Sequence, residues 1–192
     1  ERRLPDSGFD KVSINNKIGV YKATNYLLNK GHNKIVYIGK KFTENLEKER
    51  FDGFKKVYKD KQLELNEEKY VFLEEDYTAK YGKKAMNNFI KEYDFDCTAI
   101  LVTSEVMTMG VMQVLYDYKK RIPDDISLIS FDDICSDNFS PPLTAVSQPI
   151  KEMGEVAVDL LLKRIKNQDL PIKTVNLETS ISFRGSVKDI QN

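Results

Sequence analysis

Two carboxylates, Asp132 and Asp133, follow directly on the apolar run Ile126–Phe131. That run has the length and composition of a strand covered on both faces. In open α/β sheets ligands bind outside the carboxyl ends of the strands, so a polar pair at this point is a candidate site. Neighbouring residues at a strand end point to opposite faces, which keeps the two carboxylates from converging on one bond as an acid/base pair must. Asp132 alone can accept hydrogen bonds from two adjacent hydroxyls, or it can simply cap its loop. Arg50 lies within a turn of a helix start. It can grip hydroxyls or a carboxylate with two donors, or be an ordinary surface arginine.

Other chemistries find no support. His32 is the sole histidine, and with no paired cysteine or second histidine it excludes most metal sites. A Ser-His-Asp arrangement would have to use it, and no nucleophile elbow lies near. His32 follows Gly31 at a helix end, where an imidazole meets backbone carbonyls. Gly39 and Gly53 stand alone, so there is no phosphate-cradling loop. The residues point to a binding site without metal or cofactor rather than to an enzyme.

The elements that must position this site alternate. Lys11–Ile14 is extended, and Asn15 and Asn16 offer caps for a helix carrying Val20, Ala23, Leu27 and Leu28, stopped by Gly31. Ile35–Ile38, Tyr70–Leu73 and Ala99–Val102 read as strands. The helix Glu47–Lys59 carries the stripe Phe51, Phe54, Val57 and Tyr58. A second carries Tyr81, Ala85, Phe89 and Ile90, and a third is marked by Val106, Met109, Gly110 and Val114. Pro123, with Asp124 and Asp125, makes a turn before Ile126–Phe131. Ser140-Pro141-Pro142 blocks helix before Leu143–Val146. An amphipathic helix spans Ile150–Asn167 through Met153, Ala157, Leu160, Leu161 and Ile165, and Lys173–Leu177 and Ser180–Phe183 close the chain in extended form. Leu4–Gly8, Thr43–Lys48 and Asp60–Glu68 are expected as loops or solvated helix ends. This beat predicts an α/β fold, a parallel doubly wound sheet with helices on both faces and right-handed crossovers.

The 192 residues suffice for one good core or two small lobes. Thirty basic residues balance thirty acidic ones, so nothing advertises a nucleic-acid or membrane surface. The apolar runs are far shorter than a membrane span. Cys97 and Cys135, before one strand and after another, are expected as free thiols at opposite sheet edges of a cytoplasmic protein.

The segment Ile122-Pro123-Asp124-Asp125-Ile126-Ser127, Ser130-Phe131-Asp132-Asp133, Ser140-Pro141-Pro142-Leu143-Thr144 and Gln148 resembles the signature of LacI/GalR-type transcriptional regulators. Four further blocks are similar to the same family in the same order. They are Asn15-Asn16-Lys17-Ile18-Gly19, Leu27–His32 with Ile35 and Ile38-Gly39, Arg50-Phe51-Asp52-Gly53-Phe54, and Met107, Met109 and Gly110. The resemblance covers nearly the whole chain and implies an effector-binding domain similar in fold to periplasmic sugar-binding proteins.

It also implies a division. Residues 1–15 would end an N-terminal lobe and cross over, and 16–147 would form the C-terminal lobe. Residues 148–170 would cross back with a helix of the N-terminal lobe, and 171–192 would return. A DNA-binding headpiece and much of the first lobe would be missing, leaving the apolar stripe of the helix Ile150–Asn167 to find another chain or another surface of its own. The implied partners are a small-molecule effector, a sugar or sugar derivative by family habit, a second copy of the chain as homodimer, and operator DNA through the absent headpiece. A secreted or periplasmic sugar-binding protein is the alternative, disfavoured by two free cysteines and by the Ile122–Asp133 segment.

By resemblance, Arg50 clamps the effector, Asp132 binds its hydroxyls, Tyr77 stacks on its ring and Gln148 lines the cleft. From the residues alone, Tyr77 equally suits a core and Gln148 a linker. Ser104-Glu105 stands where the family has Asn-Asp. Both suit a helix start, Ser104 as cap and Glu105 by charge, but an amide able to donate and accept is lost, which points to an atypical effector. Ser130, where glycine is usual, is a milder departure.

Overall fold

The computed structural model describes residues 8–42 and 45–191. Residues 4–7 of the expected first loop, and residues 43 and 44 of the expected loop Thr43–Lys48, lie outside them.

The strands form where apolar residues alternate between two faces that are both covered. In β2 (Ile35–Lys40), Ile35 and Tyr37 face one core and Val36 and Ile38 the other; in β4 (Ala99–Val102), Ala99 and Leu101 oppose Ile100 and Val102. The first core is closed by α1 (Asn16–Asn29) and α2 (Asn45–Asp60), with Val20, Leu27, Phe54 and Val57 fully buried. The second is closed by α4 (Ala79–Tyr93) and α5 (Glu105–Asp117), with Met86, Phe89, Met107 and Val111 fully buried. With β3 (Val71–Glu74), β5 (Ser127–Phe131), β6 (Thr144–Ser147) and β8 (Ser180–Ser182), the sheet order is β3-β2-β4-β5-β6-β8. The first five strands are parallel and β8 is antiparallel to β6. The chain moves from β2 outward to β3 and then to the opposite side of β2 for β4. The topological switch point therefore falls between β2 and β4.

The helix pairs approach closely because glycines face them. A Cβ on Gly82 of α4 would sit 2.1 Å from the Met107 carbonyl oxygen of α5, and one on Gly110 of α5 would sit 2.0 Å from that of Ala79. Gly53 performs the same task between α2 and α1, 2.3 Å from the Lys17 oxygen. Gly31 adopts φ +89° at the end of α1, the left-handed stop expected of it. Asn15 caps α1 by accepting from the Ile18 amide, whereas Asn16 lies inside the helix and is buried.

Some local expectations are corrected. A four-residue helix, α3 (Glu67–Tyr70), ends the stretch expected as loop, capped by Asn66 accepting from Lys69. Val106 and Met109 are exposed. Gly110 and Val114 are buried, together with Met107, Val111 and Leu115.

A second, two-stranded parallel sheet joins β1 (Lys11–Ile14) to β7 (Thr174–Leu177), with α6 (Ile150–Lys166) beside it. The chain rejoins the six-stranded sheet at Ser180. Of α6 only Leu160 is buried, while Ile150, Val158, Leu161, Leu162 and Ile165 stay exposed. Arg164 pins its end, donating to both Asp10 oxygens and to the Pro171 carbonyl. No described helix is long and apolar enough to cross a membrane.

Candidate functional site

The carboxyl ends of the parallel strands open into a cleft of 510 Å³, within the ~300–1,000 Å³ range of small-molecule sites. Each strand delivers residues in turn. Lys40 ends β2, Asp76 and Tyr77 follow β3, Ser104 follows β4, Asp132 follows β5 and Gln148 follows β6. The first turns of α2 add Leu46, Glu47 and Arg50, and the start of α6 adds Ile150 and Met153. A cavity of 590 Å³ between β1 and α6 is lined mainly by apolar side chains and lacks such a set of convergent polar groups.

Arg50 is not a surface arginine. It is 5% exposed, donates from Nε to Asn16 Oδ1 at 2.9 Å and from Nη1 to the Thr103 carbonyl at 2.7 Å, and its guanidinium carbon lies over the Phe131 ring, 3.7 Å from the centroid. Its Nη2 donates to no described protein group, so one edge of the fork remains for a ligand.

Asp132 and Asp133 separate as their strand position requires. Asp132 turns into the cleft at φ +77°, a left-handed conformation uncommon outside glycine, and accepts a hydrogen bond from the Gln148 amide. Asp133 turns the other way, forms an ion pair with Arg184 Nη1 at 2.9 Å, and accepts from Arg184 Nη2 at 3.0 Å and from the Ser147 hydroxyl at 2.5 Å. Burial pushes the Asp133 carboxyl up, but the hydrogen bonds from Arg184, Ser147 and Ser182 outweigh it and hold the group below the usual carboxylate range. Asp133 braces the loop that presents Asp132.

Tyr77 lies against the cleft with the Arg50 guanidinium 6.0 Å and the Lys40 ammonium 5.6 Å from its ring centre. Burial pushes its hydroxyl up to about 12, so it is a neutral donor at any physiological pH. Ser104 occupies the cap position of α5 and lines the cleft, but its side chain makes no capping bond.

Glu105 is the one residue of the expected set that the structure does not bring to the cleft. Its carboxylate accepts from the Cys135 amide at 2.8 Å and the Ser136 hydroxyl at 3.1 Å, tying the loop after β5 to α5. Sequence reasoning missed Lys40, Glu47 and Asp76. Their signal was position alone, at a strand end, in a helix first turn and in a strand-to-helix loop. His32 contacts the Lys188 carbonyl at 2.9 Å and Thr98 at 3.1 Å, far from this cleft in the sheet. Among the described residues no cluster of His, Cys, Asp or Glu could hold a metal.

These features define a doubly wound α/β domain with an open cleft at its switch point, lined for hydrogen bonding and stacking. Residues 24–187 match the periplasmic binding protein-like domain, and the chain belongs to that family. It is 34% identical over 182 residues to the HTH-type transcriptional repressor PurR of Vibrio vulnificus (strain CMCP6), covering 94% of this chain and 54% of that protein. It thus spans about half the length of the curated relatives it matches. The fold superposes with TM-score 0.89 on a LacI family transcriptional regulator from Enterococcus faecium with bound ribose, 24% identical, over 98% of this chain and 69% of that one. The transcriptional regulator CelR in complex with cellobiose gives TM-score 0.86 at 27% identity, over 95% and 55%.

Proposed function

We propose that the chain is the effector-binding domain of a LacI-type transcriptional regulator that binds a sugar or sugar derivative in the cleft. The carrying observation is the convergence of Tyr77, Ser104, Asp132 and Gln148 from four successive strand-to-loop junctions, with Arg50 from the start of α2, into one cavity. A carboxylate paired with an amide suits neighbouring hydroxyls, a guanidinium edge adds donors, and an aromatic ring suits the apolar face of a sugar. Solved relatives with ribose and cellobiose bound support that ligand class, and sequence relatives that are repressors favour a regulator over a transport protein.

In this reading residues 16–147 with β8 form one lobe. The β1–β7 pair and α6 belong to a second lobe, and the effector sits between them. The effector would favour one lobe arrangement of a homodimer and so alter how a DNA-binding headpiece, outside these residues, meets its operator in the cytoplasm. The groups of the cleft bind and do no bond chemistry.

Thermal unfolding against a panel of sugars, sugar phosphates and purines tests the reading. One compound should raise Tm by several degrees. The shift should vanish in Asp132→Asn, chosen because asparagine tolerates the left-handed backbone. No shift across the panel, or a shift that survives this substitution, overturns it.

A further inference from the structure

Unpartnered polar atoms gather beneath the cleft. Five buried side-chain polar atoms of the described residues make no well-formed hydrogen bond, and four of them belong to Asn16, Glu47, Tyr77 and Thr103, although the Tyr77 hydroxyl and the Thr103 side chain lie close enough to interact with one another. All four residues surround Arg50. Asn16 and Thr103 supply its two acceptors, Tyr77 lies under its edge, and Glu47 precedes it by one helical turn.

Glu47 stands out, because a carboxylate is the costliest of these groups to bury without hydrogen bonds. Its side chain is 2% exposed and Oε2 has no partner. The Lys40 ammonium lies 3.8 Å from Oε1, near enough for attraction and too far for a hydrogen bond. The start of α2 favours a negative charge, but it does not fill the carboxylate's acceptor sites. Glu47 and Lys40 nevertheless both line the cleft, so what they lack can arrive there with the ligand.

We propose that Glu47 is a specificity-determining acceptor. Its carboxylate takes a hydrogen bond from a hydroxyl or amino group of the ligand, and the cleft thereby selects uncharged or amino-bearing sugars over their phosphorylated counterparts. This rests on the reading of the cleft as an effector site. The charge balance points the same way. Among the described lining residues, the carboxylates of Glu47, Asp76 and Asp132 face only the cations of Lys40 and Arg50. Arg50 has already committed Nε and Nη1 to the protein and lies over Phe131. A phosphate would meet the Lys40 ammonium and one free guanidinium edge, but also repulsion from the three carboxylates of Glu47, Asp76 and Asp132. A donor gains a charge-assisted hydrogen bond instead.

Calorimetric titration of this chain with matched compounds tests the inference: glucose, glucosamine and glucose 6-phosphate, and ribose and ribose 5-phosphate. The wild type should bind an uncharged or amino member at least about tenfold more tightly than its phosphate, the size expected of one hydrogen bond to a charged group. Glu47→Gln should weaken the favoured ligand by about tenfold and bring its phosphate to within about threefold of it. Lys40→Gln, which also serves should Glu47→Gln not fold, should shift preference toward the amine, whose ammonium replaces the lysine beside Glu47. Tighter binding of the phosphate by the wild type overturns the inference. So do unchanged preferences in both variants while Asp132→Asn abolishes binding, and in that case the effector-site reading stands. Binding by no member of the set, or binding indifferent to Asp132→Asn, overturns that reading and the inference with it.

Discussion

Arg50→Ala should destabilise the domain in the absence of any ligand. The guanidinium is 5% exposed and satisfies two buried acceptors, Asn16 Oδ1 at 2.9 Å and the Thr103 carbonyl at 2.7 Å. Leaving a buried acceptor unpaired costs about 1–3 kcal/mol each. The stack over Phe131 at 3.7 Å is lost as well, worth about 1–2 kcal/mol when desolvated. Relief from burying a charge offsets part of the sum. The net is about 3 kcal/mol, which lowers Tm by roughly 6–12 °C in a domain of this size. Arg50→Lys should lose less, since the ammonium keeps one acceptor but cannot serve both and stack. Calorimetric melts of the three proteins without ligand decide the matter. An Arg50→Ala melt within about 2 °C of wild type would refute the seating of this side chain. It would also leave Asn16 and Thr103 without the role assigned to them here.

Gly82→Ala or Gly110→Ala should each lower stability by about 2–3 kcal/mol in urea titrations, because the new methyl meets a carbonyl oxygen across the α4–α5 contact rather than a yielding side chain. Burial holds the His32 imidazole below its usual value, against the opposing hydrogen bond to the Lys188 carbonyl. The unfolded chain therefore binds the proton more readily, and stability should fall as pH drops below about 6.5. A His32→Asn variant should show a shallower fall over the same range. Burial pushes the Cys97 thiol up to about 12, so native protein at pH 8 should alkylate at the half-buried Cys135 alone, with two thiols reacting after unfolding.

The fold was legible because each central strand is a short apolar run flanked by a helix whose apolar residues recur at one period. Ile35–Ile38 and Ala99–Val102 needed no other signal, since both faces of each are covered. The elements that escaped are too short to carry a period. Glu67–Tyr70 is a single turn set by its Asn66 cap. Nothing in Ser180–Ser182 distinguishes an antiparallel edge strand from a parallel one, because that direction depends on where the β1–β7 pair releases the chain. In α5, Gly110 and Val114 are buried, whereas Val106 and Met109, apolar in type too, face outward beside the cleft and on the helix surface.

The site was legible at strand ends and illegible where helix phase decides. Glu47 and Glu105 look alike in sequence: each is an acidic residue in the first turn of a helix that follows a parallel strand. Glu105 is the first residue of α5, and that phase turns it onto the loop after β5, where Cys135 and Ser136 satisfy it. Glu47 is the third residue of α2, in line with Arg50 three positions on, and that phase turns it toward the cleft with one oxygen unsatisfied. A difference of two residues in helix start thus separates a structural tie from a candidate ligand contact. The same logic splits Asp132 from Asp133, one residue apart, into a group facing the cleft and a group that holds it there through Arg184. Strand alternation made that split readable in advance, because its period is fixed at two. Helix phase at a first turn depends on the cap, and no residue type between Lys40 and Glu47 fixes where α2 begins.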